Sequence, residues 1–421
     1  MLSKPLSLQH LSPLHQSRIR GRLRPVPHPA SLVPRTHLIQ RVTDALTQGP
    51  GVLLLGPHKA GTTTIARLMA QQWTGPRTLF DLRGIAAREA LNPAPERILR
   101  HCEGLVVIDE IEHMPQLLAT IRGICDGSNP GKVFLAIGQS SDKLFEIASD
   151  ALGRGFPVLH VGGLSLADVG AERQNRLWMR GGFPGAFCAE PEGEWRWWIQ
   201  SYLGTLPERT LHSTRSRIPP DTLARFWTML AHRQGRAWNA AEIGRSMQTG
   251  PKVANRYRRL LAGAGMLRVL PPWLHGTGKR LVKSSRVYIR DSGILHTLLG
   301  LDDPVRLAAH PAHTPSWKGF ALEQTLIAHG DHDAWFYRTH RGAGVDLMLL
   351  RDRRHWGFEF TCGDAPRTTR SMHIVTDDLG LEHLWVVYPG DLDYSLGDAI
   401  TAWPLKRIRE LQLQGQVPGT P

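Results

Sequence analysis

The chain has 421 residues, of which 41% are hydrophobic, and a formal net charge of +14. That length predicts more than one domain, at roughly 100–200 residues each. No apolar run reaches the roughly 18–20 residues that span a bilayer, the N-terminus lacks the apolar core of a secretory signal, and the four cysteines are scattered. We expect a cytoplasmic protein without a membrane partner, whose charge indicates either a polyanionic partner or a basic, soluble surface.

Residues 1–34 are predicted to be a basic, flexible arm. Residues 1–43 contain no Asp or Glu, and four arginines at positions 18, 20, 22 and 24 lie among Ser, Pro and His. This composition is typical of an unpacked segment. A mitochondrial transit peptide has a similar composition, but the segment is rich in proline and weakly amphipathic, which favours the arm.

Residues 51–70 predict a strand, a phosphate-binding loop and a helix. Val52–Leu55 is a short apolar run, Gly56 and Gly61 bound the loop, and helical apolar spacing follows from Thr63 onward. In such a loop the backbone N–H groups surround the phosphates, a lysine reaches the β and γ oxygens, and the next hydroxyl ligates magnesium. Here Thr63 supplies that hydroxyl.

The lysine position of the loop holds Thr62. A hydrogen bond to a charged group is worth roughly 1.5–3 kcal/mol, so its loss weakens nucleotide binding by about 10- to 100-fold. Hydrolysis loses more, because charge develops on the transferred phosphoryl group. Lys59 is a candidate substitute, although a lysine here also suits a solvent-facing position, and a glycine-rich turn without a ligand is the alternative for the whole loop.

Three further apolar runs predict strands of the same sheet. The first is 78–82, and the second lies within 101–112 and ends in Asp109 and Glu110. In a Walker B strand the aspartate holds magnesium and the glutamate polarises the attacking water; a solvated acidic turn is the alternative. The third run, within 132–141, ends in Ser140 and Ser141, which are candidate γ-phosphate sensors.

The order of these parts resembles the bacterial and archaeal AAA-type P-loop ATPases in which a restriction-endonuclease-like domain of unknown function follows the ATPase module. The resemblance spans roughly residues 35–405 and rests on the stretches 56–64, 108–115, 137–141, 153–154, 163–166, 180–187, 288–294 and 317–323. It implies ATP and Mg²⁺ as cofactors. The implied nucleotide-binding residues are Gly56, Lys59, Gly61, Thr62, Thr63, Thr64, Asp109 and Ser140, with Thr63 and Asp109 at the magnesium ion and Glu110 in catalysis.

The resemblance also makes Arg154 a candidate catalytic arginine that contacts the nucleotide of a neighbouring subunit, which implies a homo-oligomer. A surface arginine at a helix end is the alternative. The ATPase domain is expected over 35–165, and the tryptophan-rich residues 166–212 are expected to form a helical lid on it.

Residues 213–300 predict three helices and two strands in the order of a winged helix. From Ile243 to Arg290 there are eleven Lys or Arg and no Asp or Glu. Double-stranded DNA is the expected partner of this region, because a basic helix neutralises phosphates; a solvated basic face or a domain-packing module is the alternative. The candidate nucleic-acid-binding residues are Lys252, Arg256, Arg258 and Arg259.

Residues 301–421 are expected to form the nuclease-like domain. A hairpin turn centred on 352–353 places Asp346 opposite Glu359, and Glu323 on a nearby helix is the third candidate metal ligand. A nuclease of this type needs a lysine two residues after the second acid, where this chain has Thr361, and relatives usually carry a glutamate at Gly344. We therefore expect a nuclease fold with weakened chemistry; solvated hairpin charge is the alternative for the acidic pair.

The predicted fold class is α/β, with a P-loop parallel sheet, a helical lid, a winged helix and a small nuclease-like α/β domain. The favoured function is that of an AAA-family ATP-binding protein with a degenerate Walker A loop and slow or absent hydrolysis, acting on nucleic acid. One alternative is a non-enzymatic nucleic-acid-binding or scaffold protein. The other is an active DNA-processing ATPase that uses Lys59.

Overall fold

The computed structural model describes residues 32–127, 131–153, 156–212, 219–275 and 278–413. The chain divides into two compact units, residues 1–162 and 163–421. Within the described ranges, no helix combines the length and the apolar character needed to cross a bilayer. The predicted arm lies almost wholly outside these ranges.

The first unit is a parallel five-stranded sheet with helices on both faces. Its elements are α1 Thr36–Gln48, β1 Gly51–Gly56, α2 Thr62–Gln72, β2 Arg77–Asp81, α3 Ile85–Leu91, α4 Pro95–His101, β3 Leu105–Asp109, α5 Leu117–Cys125, β4 Val133–Gln139, α6 Asp142–Leu152 and β5 Val158–His160. The strand order is β2-β3-β4-β1-β5. The predicted parallel sheet is thereby confirmed, with β4 between the loop strand β1 and the acidic strand β3.

Two apolar clusters bury the faces of this sheet. The α1 and α2 side packs Val42 and Ile65 against Val52 and Leu54 of β1. The opposite face of β1 packs against the cluster that contains α5 and α6. Because every residue of β1 is buried, its continuous apolar run suits a central parallel strand, as the sequence indicates.

The second unit begins with helices and ends in a mixed sheet. Its helices are α7 Leu166–Val169, α8 Gln174–Arg180, α9 Pro184–Phe187, α10 Glu194–His212, α11 Pro220–Ala231, α12 Ala240–Ser246, α13 Pro251–Gly263, α14 Ser292–Leu298, α15 Pro304–Ala309, α16 His313–His329 and α17 Arg370–Leu379. Its strands are β6 Leu267–Leu270, β7 Arg286–Ile289, β8 Ala334–Arg338, β9 Gly344–Arg351, β10 Arg354–Phe360, β11 Leu381–Tyr388, β12 Tyr394–Gly397 and β13 Ile400–Pro404.

The connection between β6 and β7 lies against the edge of the C-terminal sheet. The two strands pair antiparallel. Between them, the Trp273 N–H donates to the Phe336 carbonyl at 2.7 Å and the Val282 N–H donates to the Arg338 carbonyl at 3.0 Å. This connection therefore extends the sheet beyond β8 and is not a free hairpin.

The C-terminal sheet has the order β12-β13-β11-β10-β9-β8. The β9–β10 hairpin turns at Asp352 and Arg353, whose φ angles of 48° and 64° are both left-handed, as a two-residue hairpin turn requires. Leu347 pairs with Phe358. The next position along the ladder brings Asp346 beside Glu359, so the predicted register is confirmed.

Three histidines of the second unit make its stability depend on pH. Burial lowers the pKa of His296, His329 and His383 from 6.5 to about 4. In the unfolded chain these groups take up protons below pH 6.5, so between pH 6.5 and 4 the three sites bind fewer protons in the folded state. The raised pKa values of Asp291, about 6, and Glu359, about 7, act in the opposite direction and offset this difference only in part. We predict that the free energy of unfolding falls as the pH drops through this window, and that His296→Gln reduces the slope by about one proton.

Urea unfolding at a series of pH values, followed by tryptophan fluorescence, measures this slope. All tryptophans except Trp73 lie in residues 163–421, so the signal reports mainly on the second unit. The matched control is His373→Gln, because His373 is exposed on α17 and its loss should leave the slope unchanged. An identical slope in the wild type and His296→Gln would contradict the prediction.

Candidate functional site

The loop between β1 and α2 has the backbone of a phosphate-binding loop. Gly56 ends β1, and a side-chain carbon added there would lie 2.5 Å from the Val161 carbonyl oxygen, so only glycine fits. Gly61 precedes α2 with a φ of 99°, a left-handed conformation that glycine adopts without strain. Since no side chain caps α2, its first-turn N–H groups are suited to an anion.

Thr62 is the first residue of α2, at the position where the loop pattern has lysine. Thr63 and Thr64 follow it in the first helical turn. Lys59 lies three residues earlier with a left-handed φ of 63°. A non-glycine residue in this conformation carries strain, and such strain is often found at ligand-binding loops.

Arg35 is a residue of this site that sequence reasoning missed. Its side chain is buried just before α1, and Nη1 donates to the carbonyl oxygens of Ala60 at 3.3 Å and Gly162 at 2.9 Å. The guanidinium thereby ties the loop to the end of the first unit. An isolated arginine ahead of the first helix offers no sequence signal for this contact.

The structure brings Thr63 and Asp109 together, as predicted. The Thr63 hydroxyl donates to Oδ1 of Asp109 at 3.2 Å, across 46 residues of sequence. The Glu110 N–H donates to the same oxygen at 3.0 Å. Asp109 ends β3 and is only 4% exposed, so its carboxylate lies at the carboxyl edge of the sheet beside the loop.

Negative charge is concentrated at this edge. Burial and the neighbouring Glu110 raise the pKa of Asp109 to about 6. Burial and the Glu112 carboxylate raise the pKa of Glu110 to about 7. These shifts mean that the site favours a bound proton or a cation, and hard oxygen ligands of this kind suit Mg²⁺.

Arg83 and Glu112 flank Glu110, and sequence reasoning missed both. Arg83 Nε lies 3.8 Å from Oε1 of Glu110, and Arg83 Nη2 lies 2.6 Å from Oδ2 of Asp81 at the end of β2. Glu112 accepts from the Gln139 N–H at 3.1 Å, next to the end of β4. The pairing of β2 with β3, which sets Asp81 beside Asp109, brings Arg83 to the site, whereas Glu112 is held by its bond to the end of β4.

The two predicted sensor serines have different surroundings. The Ser140 N–H donates to the Gly56 carbonyl at 2.9 Å, so Ser140 lies beside the phosphate loop, and it is buried. Ser141 caps α6, where its hydroxyl accepts from the Leu144 N–H at 3.2 Å. Ser140 is therefore the serine that lies beside the loop, whereas Arg154 lies outside the described residues.

The four predicted nucleic-acid-binding residues all lie on α13. Lys252 and Arg259 are exposed, and Arg256 and Arg258 are half-buried. The Arg258 guanidinium carbon lies 5.0 Å from the centre of the Trp238 ring. Arg258 is thus engaged within the second unit.

The predicted three-carboxylate metal shell is wrong. Glu323 is paired with Arg268 at 2.7 Å and Arg290 at 2.9 Å, and no group of three His, Cys, Asp or Glu side chains within the described ranges is arranged to hold a metal ion. These arginines come from β6 and the end of β7, 55 and 33 residues away in sequence. Sequence spacing gave no indication of them.

Asp346 and Glu359 do lie together, with a lysine between them. Lys318 Nζ on α16 is 2.6 Å from Oδ2 of Asp346 and 3.3 Å from Oε1 of Glu359. Arg286 Nη1 lies 3.0 Å from Oδ1 of Asp346. The pair thus has a lysine, but from a helix and not from position 361, where the Thr361 N–H donates to the Val387 carbonyl.

Two solved structures resemble part of the chain. A Walker-type ATPase of Pyrococcus abyssi has a TM-score of 0.47 and 15% identity, over 66% of this chain and 99% of that chain. The RuvB Holliday junction branch migration motor of Thermotoga maritima has a TM-score of 0.30 and 16% identity, over 60% of this chain and 94% of that chain. These scores are too low for either structure to define the fold of the whole chain.

The family comparison divides the chain into three parts. Residues 48–169 match an AAA domain, residues 171–305 match a domain of unknown function (DUF8612), and residues 315–408 match another (DUF4143). The phosphate loop and the Asp109 strand both lie within the AAA match. The AAA-type ATP-binding fold expected from the sequence is thus confirmed.

Two curated proteins extend this similarity over almost the whole chain. Uncharacterized proteins of Mycobacterium tuberculosis and Mycobacterium bovis are each 36% identical over 377 residues, which is 90% of this chain and 85% of theirs. The chain, with its AAA domain ahead of two domains of unknown function, therefore belongs to the same protein family as these two mycobacterial proteins.

Proposed function

We propose that the chain binds ATP with Mg²⁺ in its AAA domain and hydrolyses it slowly or not at all. The observation that carries the proposal is the hydrogen bond between Thr63 and Asp109, because it joins the loop hydroxyl to the buried carboxylate. Both are groups that a nucleotide-bound magnesium ion needs. Thr62, one residue earlier, provides no charge for the phosphates.

Groups of the phosphate loop, α2 and β3 support the proposed binding of ATP. The first-turn N–H groups of α2 and the loop glycines would surround the phosphates. Thr63 and Asp109 would hold Mg²⁺, whose charge neutralises the phosphates. Ser140, which bonds to Gly56 of the loop, would sense the terminal phosphate.

The proposed weak hydrolysis depends on one electrostatic feature. The loop lacks the ammonium group that normally opposes the charge developing on the transferred phosphoryl. Because that charge is larger in the transition state than in bound ATP, the missing lysine reduces turnover more than binding.

Two other functions give different outcomes with the same ligand. A scaffold protein that keeps the P-loop fold only as structure would not bind an ATP analogue, with or without Mg²⁺. A DNA-processing ATPase that uses Lys59 would turn over ATP and would be stimulated by DNA. Titration of a fluorescent ATP analogue, followed by a turnover assay with and without DNA, separates the three functions.

Thr62→Lys is the sharpest test of the nucleotide site. It restores a charge to a loop that is otherwise complete, and a charge-assisted hydrogen bond of roughly 1.5–3 kcal/mol corresponds to about 10- to 100-fold tighter binding. We predict this gain in the dissociation constant of the ATP analogue, together with a larger relative gain in ATP turnover.

The matched control is Gln72→Lys, which adds the same charge at the exposed end of α2. It should leave binding unchanged. No gain from Thr62→Lys would mean that the loop is not built for a nucleotide. Lys59→Ala completes the series: abolished binding would assign the cation role to Lys59, and unchanged binding would remove Lys59 from the site.

For the C-terminal sheet we propose a structural role and no nuclease activity. Lys318 and Arg286 already neutralise Asp346, the more buried acid of the pair, which is 4% exposed. A magnesium ion would have to displace Lys318 from both carboxylates. The ion pairs also join α16 and β7 to strands β9 and β10, so their loss should affect folding.

We predict that Lys318→Met lowers the free energy of unfolding by about 2–3 kcal/mol, because removing one partner leaves enclosed carboxylates without their cation. Urea unfolding at neutral pH measures the change. The control is Lys406→Met, whose partner Asp391 is 78% exposed and whose loss should cost less than about 1 kcal/mol. Equal effects of the two substitutions, or Mg²⁺-dependent cleavage of plasmid DNA by the wild type, would contradict the structural role.

A further inference from the structure

The basic region 243–290, from α12 to the end of β7, contains positive charges with different surroundings. Of the eleven Lys and Arg residues from 243 to 290, four are paired with acids of the C-terminal sequence. These are Arg268 and Arg290 with Glu323, Arg286 with Asp346, and Lys279 with Asp378. Internal pairing therefore accounts for only part of the charge excess.

A second group of charges lies on one face of α13. At 100° per residue, Lys252, Arg256 and Arg259 lie within about 60° of one another around the helix. The buried residues Ala254, Tyr257 and Leu261 lie on the opposite side of the helix. Among the residues that the structure describes, no carboxylate pairs with Lys252, Arg256 or Arg259.

Two contacts hold α13 in place without using this face. The Trp238 indole N–H donates to Oδ1 of Asn255 at 2.8 Å. Arg258 lies over the same ring, and burial and the neighbouring Arg259 lower its pKa. Trp238 therefore holds one side of α13 in place. Lys252, Arg256 and Arg259 lie on this helix, away from these two contacts.

The length of this face allows it to contact several phosphates. Lys252 and Arg259 are seven residues apart, which is about 10 Å along a helix. Phosphates of one DNA strand follow at about 3.4 Å of rise along the duplex axis, so a helix lying along that axis would set this face beside about three of them. We infer that Lys252, Arg256 and Arg259 form a docking face for the phosphate backbone of double-stranded nucleic acid.

The chemistry of the face favours nucleic acid over a protein partner. Protein interfaces have an apolar centre. Among the described residues, the exposed large hydrophobic side chains are Ile85, Phe145, Trp197, Leu274, Val305, Ile327 and Leu392, and α13 carries none of them. A surface of charge without apolar anchors binds through phosphates and without base readout.

The connection between β6 and β7 does not serve as a wing beside this docking face. The connection between β6 and β7 is bonded to β8 through Trp273 and Val282. It is therefore not available as a free hairpin beside α13. Binding is expected to depend mainly on α13 and to have little sequence preference.

The test is the salt dependence of binding to a labelled random-sequence DNA duplex, measured by fluorescence anisotropy with the full chain and no nucleotide. The triple variant Lys252→Gln, Arg256→Gln, Arg259→Gln should lower the slope of log K against log salt by about 2–3, because each phosphate contact contributes about 0.9. Without nucleotide in the assay, a failure of ATP binding does not affect the result.

The matched control removes three exposed charges elsewhere in the second unit: Arg341→Gln, Arg367→Gln and Arg370→Gln. Both triple variants keep the basic N-terminal arm and have the same net charge. Equal slopes in the two variants would overturn the inference, as would a wild-type affinity that salt does not change. Tighter binding of polyglutamate than of the duplex at equal charge would also overturn it, in favour of an acidic protein partner.

Discussion

The parallel pairing of strands in the first unit determines where every polar group of the nucleotide site lies. Parallel strands end at the same edge of a sheet, so β1 presents the phosphate loop, β3 presents Asp109 and β4 leads to Ser140 at one edge. The pairing of β2 with β3 places Asp81 beside Asp109 at the same edge, and Arg83 follows two residues later. An isolated loop motif would have none of these neighbours, so the sheet turns a short pattern into a site.

The sequence has threonine at two positions where a lysine is expected, 62 and 361. The surroundings of these two positions differ. At position 62 the side chain carries no charge, and the pKa values of Asp109 and Glu110 are raised. In the C-terminal sheet, Lys318 of α16 lies between the two acids. The acid pair of the C-terminal sheet thus contains its own cation, whereas the side chain bonded to Asp109 is the Thr63 hydroxyl. This difference favours ligand binding in the first unit and structural stability in the second.

Local features were predictable from the sequence because they depend on neighbouring residues. The runs of β1 to β4, the left-handed turn at 352–353 and the register that it sets all follow from short patterns. The Thr63–Asp109 contact follows from the phosphate-loop pattern and the Walker B pattern taken together. Contacts such as Arg35 with Gly162, across 127 residues, or Arg268 with Glu323, across 55, require the tertiary fold. The predicted metal shell failed for that reason: arginines from distant strands surround Glu323.

The connection between β6 and β7 has a further consequence, for solubility. β8 is the last strand of its sheet, and an uncovered edge strand exposes N–H and carbonyl groups that can pair with another chain. Here Phe336 and Arg338 direct carbonyl groups to Trp273 and Val282 of the same chain. Trp273 also packs edge-on against Trp335 at 4.9 Å. The segment therefore protects the sheet from edge-to-edge aggregation, in the way that a short added strand would.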